Sequence, residues 1–209
     1  MKIGIIGSGN VGGALGKGWA KTGHSVVFGV RDQGEKLKSL LKQAGANARA
    51  GSVQEAAAFG EVVVFATPWP AAQDAIRGAG NLKGKVVFDC TNPLKPDLSG
   101  LAIGQTTSAG EQVAQWASGA KVVKVFNTTG TNNMEDSRYP EGAPVMFYCG
   151  DDPGAKKLAA QLASDLGFEP IDAGALTSAR LLEPLAMLWI HLAYAQGIGR
   201  EFAFRIMRR

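Results

Sequence analysis

The stretch Lys2-Ile3-Gly4-Ile5-Ile6-Gly7-Ser8-Gly9-Asn10-Val11-Gly12 decides the fold. Residues 2–6 are an apolar run of strand length, the pattern of a parallel strand covered on both faces. It leads directly into Gly7-Ser8-Gly9-Asn10-Val11-Gly12, which fits G-x-G-x-x-G, and helix signals continue from Val11 to Thr22 with Gly23 as a C-cap. A glycine pattern alone is weak. One that closes a strand and opens a helix has the context a dinucleotide fingerprint requires. Gly7 permits the tight turn, Gly9 leaves room for a pyrophosphate against the backbone, and Gly12 lets the helix lie close to the strand. The helix N-terminus then offers free N–H groups and the positive end of its dipole to the phosphates. Gly7, Ser8, Gly9, Asn10, Val11 and Gly12 are therefore candidate cofactor residues; the alternative is a glycine-rich turn that binds nothing.

Outward from this turn, strand and helix signals alternate. Ser25–Val30, Asn47–Ala50, Glu61–Ala66, Lys85–Cys90, Lys121–Phe126, Val145–Cys149 and Phe168–Asp172 read as strands. Helices are expected over Glu35–Gln43, after the capping box Ser52/Glu55, over Ala71–Ala79, after a second box Ser108/Glu111, and from Pro153 at N1 to Leu166. The alternation predicts an α/β fold with a doubly wound, mainly parallel sheet of the Rossmann kind. The best boundary is Gly174-Ala175, giving a dinucleotide-binding domain over 1–174 and a C-terminal helical segment over 175–209. That segment is read as helical from Thr177 to Met207.

The 209 residues are 45% hydrophobic and 19% charged, which suits a globular chain and excludes a disordered one. A net charge of +4 favours an anionic small ligand, and with no basic stripe interleaved with aromatics no nucleic-acid partner is expected. The basic tail, Arg200, Arg205, Arg208 and Arg209, reads as cations at a helix C-terminus. The chain opens directly into a strand, and no apolar run reaches membrane-span length, so a cytoplasmic protein is expected. Cys90 and Cys149 each close an apolar run and read as buried reduced thiols, with a disulfide or catalytic thiol as the lesser reading. His24 reads as structural and His191 as a core histidine. There is no metal-ligand cluster and no Ser–His–acid set.

Which dinucleotide binds is decided at Phe28-Gly29-Val30-Arg31-Asp32. An NAD site carries an acid at the end of this strand for the ribose 2′-OH; Gly29 stands there instead. Arg31 follows, a natural partner for a 2′-phosphate, and Lys36 can reach the same charge. NADP is thus expected, with Asp32 as the argument for NAD. Three further strand ends carry distinctive residues: Ala66-Thr67-Pro68-Trp69-Pro70, Cys90-Thr91-Asn92-Pro93-Leu94, and Phe126-Asn127-Thr128-Thr129. Singly each reads as an ordinary turn. Together at one sheet edge they point to a site, with Ala66, Thr67, Pro68, Thr91, Asn92 and Pro93 on the cofactor and Asn127 and Thr128 on the acceptor.

The glycine turn, Gly29-Val30-Arg31, Thr67-Pro68-Trp69 and Lys124-Val125-Phe126-Asn127 resemble the F420H2:NADP oxidoreductase family. So do Cys149-Gly150-Asp151-Asp152, Ile171-Asp172-Ala173-Gly174 and Ser178-Ala179-Arg180-Leu181-Leu182-Glu183. The resemblance spans nearly the whole chain, and the C-terminal motifs are more specific than the glycine turn. The oxidoreductase domain of membrane ferric reductases of the six-transmembrane epithelial antigen type is also similar, notably at Val125-Phe126-Asn127 and Ser178-Ala179-Arg180. The resemblance implies that Ser8, Gly9, Asn10, Val11 and Arg31 bind NADP and that Thr67 and Pro68 lie near the nicotinamide. The chain departs from the family at Val30, where a serine is common, and in the loop Thr91–Leu94, which differs from the archaeal enzymes.

The resulting expectation is an NADP-dependent oxidoreductase passing hydride between nicotinamide and a flavin-like acceptor, F420 or a flavin (FMN or FAD), its partner being a small-molecule redox substrate. Ring-to-ring hydride transfer needs stacking and close approach more than acid–base groups. The alternatives are an NADP-binding sensor or scaffold without turnover, and a methyltransferase built on the same kind of turn. Larger hydroxyacid dehydrogenases, which add a big helical domain with a catalytic lysine, do not fit. The apolar residues Leu181, Leu182, Leu185, Leu188, Trp189, Leu192, Phe202 and Ile206 cover more than one face of the expected terminal helix, which predicts a homodimer; the alternative is a packed cap on a monomer.

Overall fold

The computed structural model describes residues 1–32 and 34–209. Among them the strands are β1 (Lys2–Ile6), β2 (Ser25–Gly29), β3 (Ala48–Gly51), β4 (Val62–Phe65), β5 (Val86–Asp89), β6 (Lys121–Val125), β7 (Val145–Gly150) and β8 (Glu169–Asp172). The α-helices are α1 (Asn10–Lys21), α2 (Glu35–Ala44), α3 (Val53–Phe59), α4 (Ala72–Gly78), α5 (Ala109–Trp116), α6 (Thr131–Glu135), α7 (Pro153–Ser164) and α8 (Ala179–Ile190).

The strands form one sheet in the order β3-β2-β1-β4-β5-β6-β7-β8. Neighbours are parallel except β6 and β7, which run antiparallel. This is the doubly wound, mainly parallel α/β fold expected. Strand order reverses between β1 and β4, so the carboxyl ends of β1, β2, β4, β5 and β6 share one edge around that switch point. β8 carries Pro170 and pairs only with β7, at the sheet edge where a strand can lack an N–H.

Period-two alternation divides the core between two faces. Val62 and Val64 join Ile5, Phe28, Leu15, Trp19 and Leu162 on the face covered by α1 and α7. Val63 and Phe65 join Ile76 and Val113 on the face covered by α4 and α5. Each large side chain so buried contributes about 1.5–3 kcal/mol. Trp19 also satisfies its indole N–H on Leu162 O at 3.0 Å. Helix starts follow the expected capping: Ser52 and Glu55 close a full capping box, and Asp152 caps Ala155 N ahead of Pro153. At Ser108 the box is half formed. Its hydroxyl accepts from Glu111 N, but the Glu111 carboxylate turns to that hydroxyl and to Arg180.

The C-terminal segment corrects the expected helix over Thr177–Met207. α8 ends at Ile190, a π-type turn follows over His191–Ala195, and 196–209 has no regular secondary structure. Gly197 and Gly199 take φ of 70° and 84°, and the N–H groups of Ile198 and Gly199 close on Leu192 O and Ala193 O. Left-handed glycines bonding back to the last turn end a helix whatever the apolar spacing beyond them. The tail then folds over its own chain. Phe202 stacks on Trp189 with centroids 5.1 Å apart, and Phe204 O accepts from Val145 N. The arginines therefore do not sit at a helix C-terminus; Arg208 pairs with Glu169 at 2.6 Å and Arg200 donates to Thr131 Oγ1.

His191 is exposed beside Gln196, not buried in the core as expected, because α8 turns it away from the sheet. His24 is structural, 2.9 Å from Asp165 and in contact with the N-terminal amine. Both cysteines are free and buried. Burial pushes the Cys149 thiol up to about 12 and the Cys90 thiol well above the ordinary range, which leaves both unreactive. Among the described residues no helix is long and apolar enough to cross a membrane.

Candidate functional site

The β1–α1 turn has the geometry its glycines predict. Gly7 takes φ 106°, and a Cβ on Gly12 would stand 2.0 Å from Gly7 O. At Gly9 a Cβ would meet nothing within 4 Å, so open space lies in front of the turn. The first turn of α1 carries no acidic residue, and no side chain caps it. Its N–H groups and dipole are thus free for an anion.

Two cavities flank this turn. The first, about 330 Å³, is lined by Gly7, Ser8, Gly29, Arg31, Thr67 and Pro68 among others. Arg31 is the cation among the described residues that line it, with Asp32 and Asp74 also on its wall. The second, about 360 Å³, runs from Asn10 and Val11 past Asn92 and Asn127 to Trp189, Ile190, Tyr194 and Arg200. Its outer wall is thus α8 and the folded-back tail, which lie far along the chain from the glycine turn.

Three side-chain oxygens at the ends of adjacent strands are buried without a hydrogen-bond partner: Thr67 Oγ1 after β4, Thr91 Oγ1 after β5 and Asn127 Oδ1 after β6. Buried oxygens of this kind are costly unless something else supplies the partner. Together with the open space at Gly9, they fit an extended dinucleotide laid along the edge with its phosphates at α1.

The candidate residues fall into groups. Gly7, Ser8, Arg31, Thr67 and Pro68 meet at the first cavity, and Asn10, Val11, Asn92 and Asn127 at the second. Ala66 joins the turn through its backbone, donating to Ile6 O at 3.0 Å. Thr91 and Pro93 are buried beneath the edge. Lys36 is exposed on the first turn of α2 and lines neither cavity. Thr128 also lines neither; it is buried in the turn that follows Phe126, whose φ is 58°.

Sequence reasoning missed the polar core behind the site. Lys124 Nζ lies 2.9 Å from Asp89 Oδ2, 2.9 Å from Glu183 Oε1 and 2.5 Å from Thr91 O. Lys124 and Asp89 are fully buried and Glu183 nearly so. Glu183 also accepts from the N–H groups of Ala109 and Gly110, at the start of α5. Burial opposes the charge on Lys124, but Asp89 and Glu183 outweigh it and hold the ammonium above the ordinary lysine value. One signal was available: Lys124 and Asp89 each interrupt an otherwise apolar strand, and a charge there needs a partner.

The chain has clear relatives. The family described as NADP oxidoreductase, coenzyme F420-dependent, matches residues 2–93. A proposed F420-dependent NADP reductase from Arthrobacter sp. FB24 has a solved structure that superposes with a TM-score of 0.90, at 34% identity over 100% of both chains. The structure of hypothetical protein SMa0349 from Sinorhizobium meliloti gives a TM-score of 0.78 at 28% identity, covering 86% of this chain and 88% of that one. Metalloreductase STEAP3 of Rattus norvegicus is 29% identical over 189 residues, 90% of this chain; the chain spans only 37% of that protein's length.

Proposed function

Because the chain belongs to the family of F420-dependent NADP oxidoreductases, we propose that it transfers hydride between NADP(H) and a flavin-like ring, F420 or a flavin. The observation that carries this reading is the pair of cavities on either side of the α1 turn. In it, the α1 N-terminus and Ser8 hold the pyrophosphate, and Arg31 pairs with the 2′-phosphate. Thr67 and Pro68 lie beside the nicotinamide half, and the acceptor ring enters the second cavity against Trp189 and Tyr194. The nicotinamide supplies the hydride chemistry when bound; the protein contributes binding, alignment and exclusion of water. Among the described residues lining the second cavity there is no histidine or carboxylate, which suits a transfer that needs no general acid. Mixing the protein with NADPH and F420, FMN or FAD tests the proposal. Loss of the reduced-nicotinamide absorbance with one acceptor is expected. No consumption with any of the three overturns it.

A further inference from the structure

Asn127 has an amide whose orientation is fixed and whose oxygen is left over. Its Nδ2 donates to Asn92 Oδ1 at 3.1 Å and to Leu182 O at 3.2 Å, which uses both amide hydrogens. Asn92 is locked in turn, because its own Nδ2 donates to Asn127 O at 2.9 Å. Flipping the Asn127 amide would set its oxygen against two acceptors, so the assignment is forced by chemistry. Asn127 is only 4% exposed, and its Oδ1 has no partner. The residue lines the second cavity, which reaches back to Asn10 and Val11 in the first turn of α1. An unpartnered acceptor held this firmly, on a residue lining a cavity that reaches the phosphate turn, favours a ligand with an N–H or O–H donor.

The position narrows the donor. Asn127 follows β6, three strand places from β1, roughly 14 Å along the edge at 4.7–4.9 Å per strand. Thr67 and Thr91 stand at the intervening strand ends, nearer β1 and the phosphate turn. The far end of the dinucleotide is the nicotinamide carboxamide, whose N–H₂ is a double donor. We propose that Asn127 Oδ1 accepts from the nicotinamide carboxamide, so that this residue fixes the rotation of the ring and the face it turns toward the acceptor. The inference rests on the proposed NADP site and adds to it a requirement for an N–H donor on the nicotinamide.

Three cofactor analogues test this on the unaltered protein. NADP⁺ and its thionicotinamide analogue both carry the N–H₂; the nicotinic acid analogue carries a carboxylate there and has no donor. The first two are expected to bind within a few-fold of each other, and the third about tenfold or more weaker. A nicotinamide-free probe, 2′-phospho-ADP-ribose, reads the rest of the site. Asn127→Ala is expected to leave that probe's affinity unchanged and to narrow the gap between NADP⁺ and the nicotinic acid analogue. Equal binding of NADP⁺ and the nicotinic acid analogue to the unaltered protein overturns the role of Asn127 and leaves the NADP reading standing. Failure of both NADP⁺ and 2′-phospho-ADP-ribose to bind overturns both.

Discussion

Arg31 stands on the wall of the first cavity, two residues beyond the last residue of β2. Because Gly29 places no carboxylate at the strand end, the proposed discriminator between the two dinucleotides is the Arg31 guanidinium, which would matter only when a 2′-phosphate is present. Arg31→Glu should weaken NADPH binding about tenfold to a hundredfold, the range of a charge-assisted contact. NADH should change by much less. Titration of nicotinamide fluorescence measures both, and equal losses would show that Arg31 does not read the phosphate. The place of Arg31 on the cavity wall was legible in the sequence because it follows from its position at the end of one strand, and so were the places of Ser8, Asn10 and Thr67. That Lys36 lines neither cavity was not legible, because strand-end proximity says nothing of which side of α2 a residue occupies. The free oxygen of Asn127 was also out of reach. It depends on Asn92 and Leu182, 35 and 55 residues away.

At the scale of elements, Lys124, Asp89 and Glu183 fasten β5, β6, α8 and the start of α5 to one another. The bidentate contact of Arg180 with Glu111 repeats the α8–α5 link nearer the surface. Removing only the cation leaves two carboxylates buried without it, so Lys124→Met should destabilise the fold by about 3–5 kcal/mol. Urea unfolding measures this, and a loss under about 1 kcal/mol, the worth of a surface pair, would mean the carboxylates find other partners. The strands, and the starts of the helices other than α6, were readable to within a residue or two, since period and capping are local. The direction of β7 was not legible, α6 occupies a stretch that reads as a loop, and α8 ends well short of where its apolar spacing predicts. Val145–Gly150 looks the same in either direction; its direction follows from the short α6 connection, which starts it from the edge where β6 finishes. Phe202 continues the helical spacing of α8 in sequence, yet stacks on Trp189 after the chain reverses at Gly197.

For the whole molecule, that reversal changes the argument for a second subunit. Phe202 is used within its own chain, so the breadth of a long terminal helix no longer calls for a partner. What remains is a specific surface. Leu181 and Leu188 are 71% and 47% exposed and sit seven residues apart, two turns along the same side of α8. Beside them lies a cavity of about 410 Å³ lined by Pro184, Met187, Leu101 and Ile103. Tyr194 and Leu98, also exposed, line the second cavity flanking the turn, where the proposed acceptor ring would cover them. Leu181 and Leu188 have no such occupant, and large apolar side chains grouped on one helix face mark association surfaces. We propose a homodimer formed through this face of α8, with the partner copy close enough to the second cavity to help shape its mouth. Light scattering at micromolar concentration is expected to give twice the chain mass of 21.8 kDa. The double substitution Leu181→Glu and Leu188→Glu should return it to the monomer mass while leaving NADPH binding intact, because neither residue lines either cavity. A monomeric unaltered protein would end the proposal, and would leave the acceptor pocket to be completed by the chain's own tail.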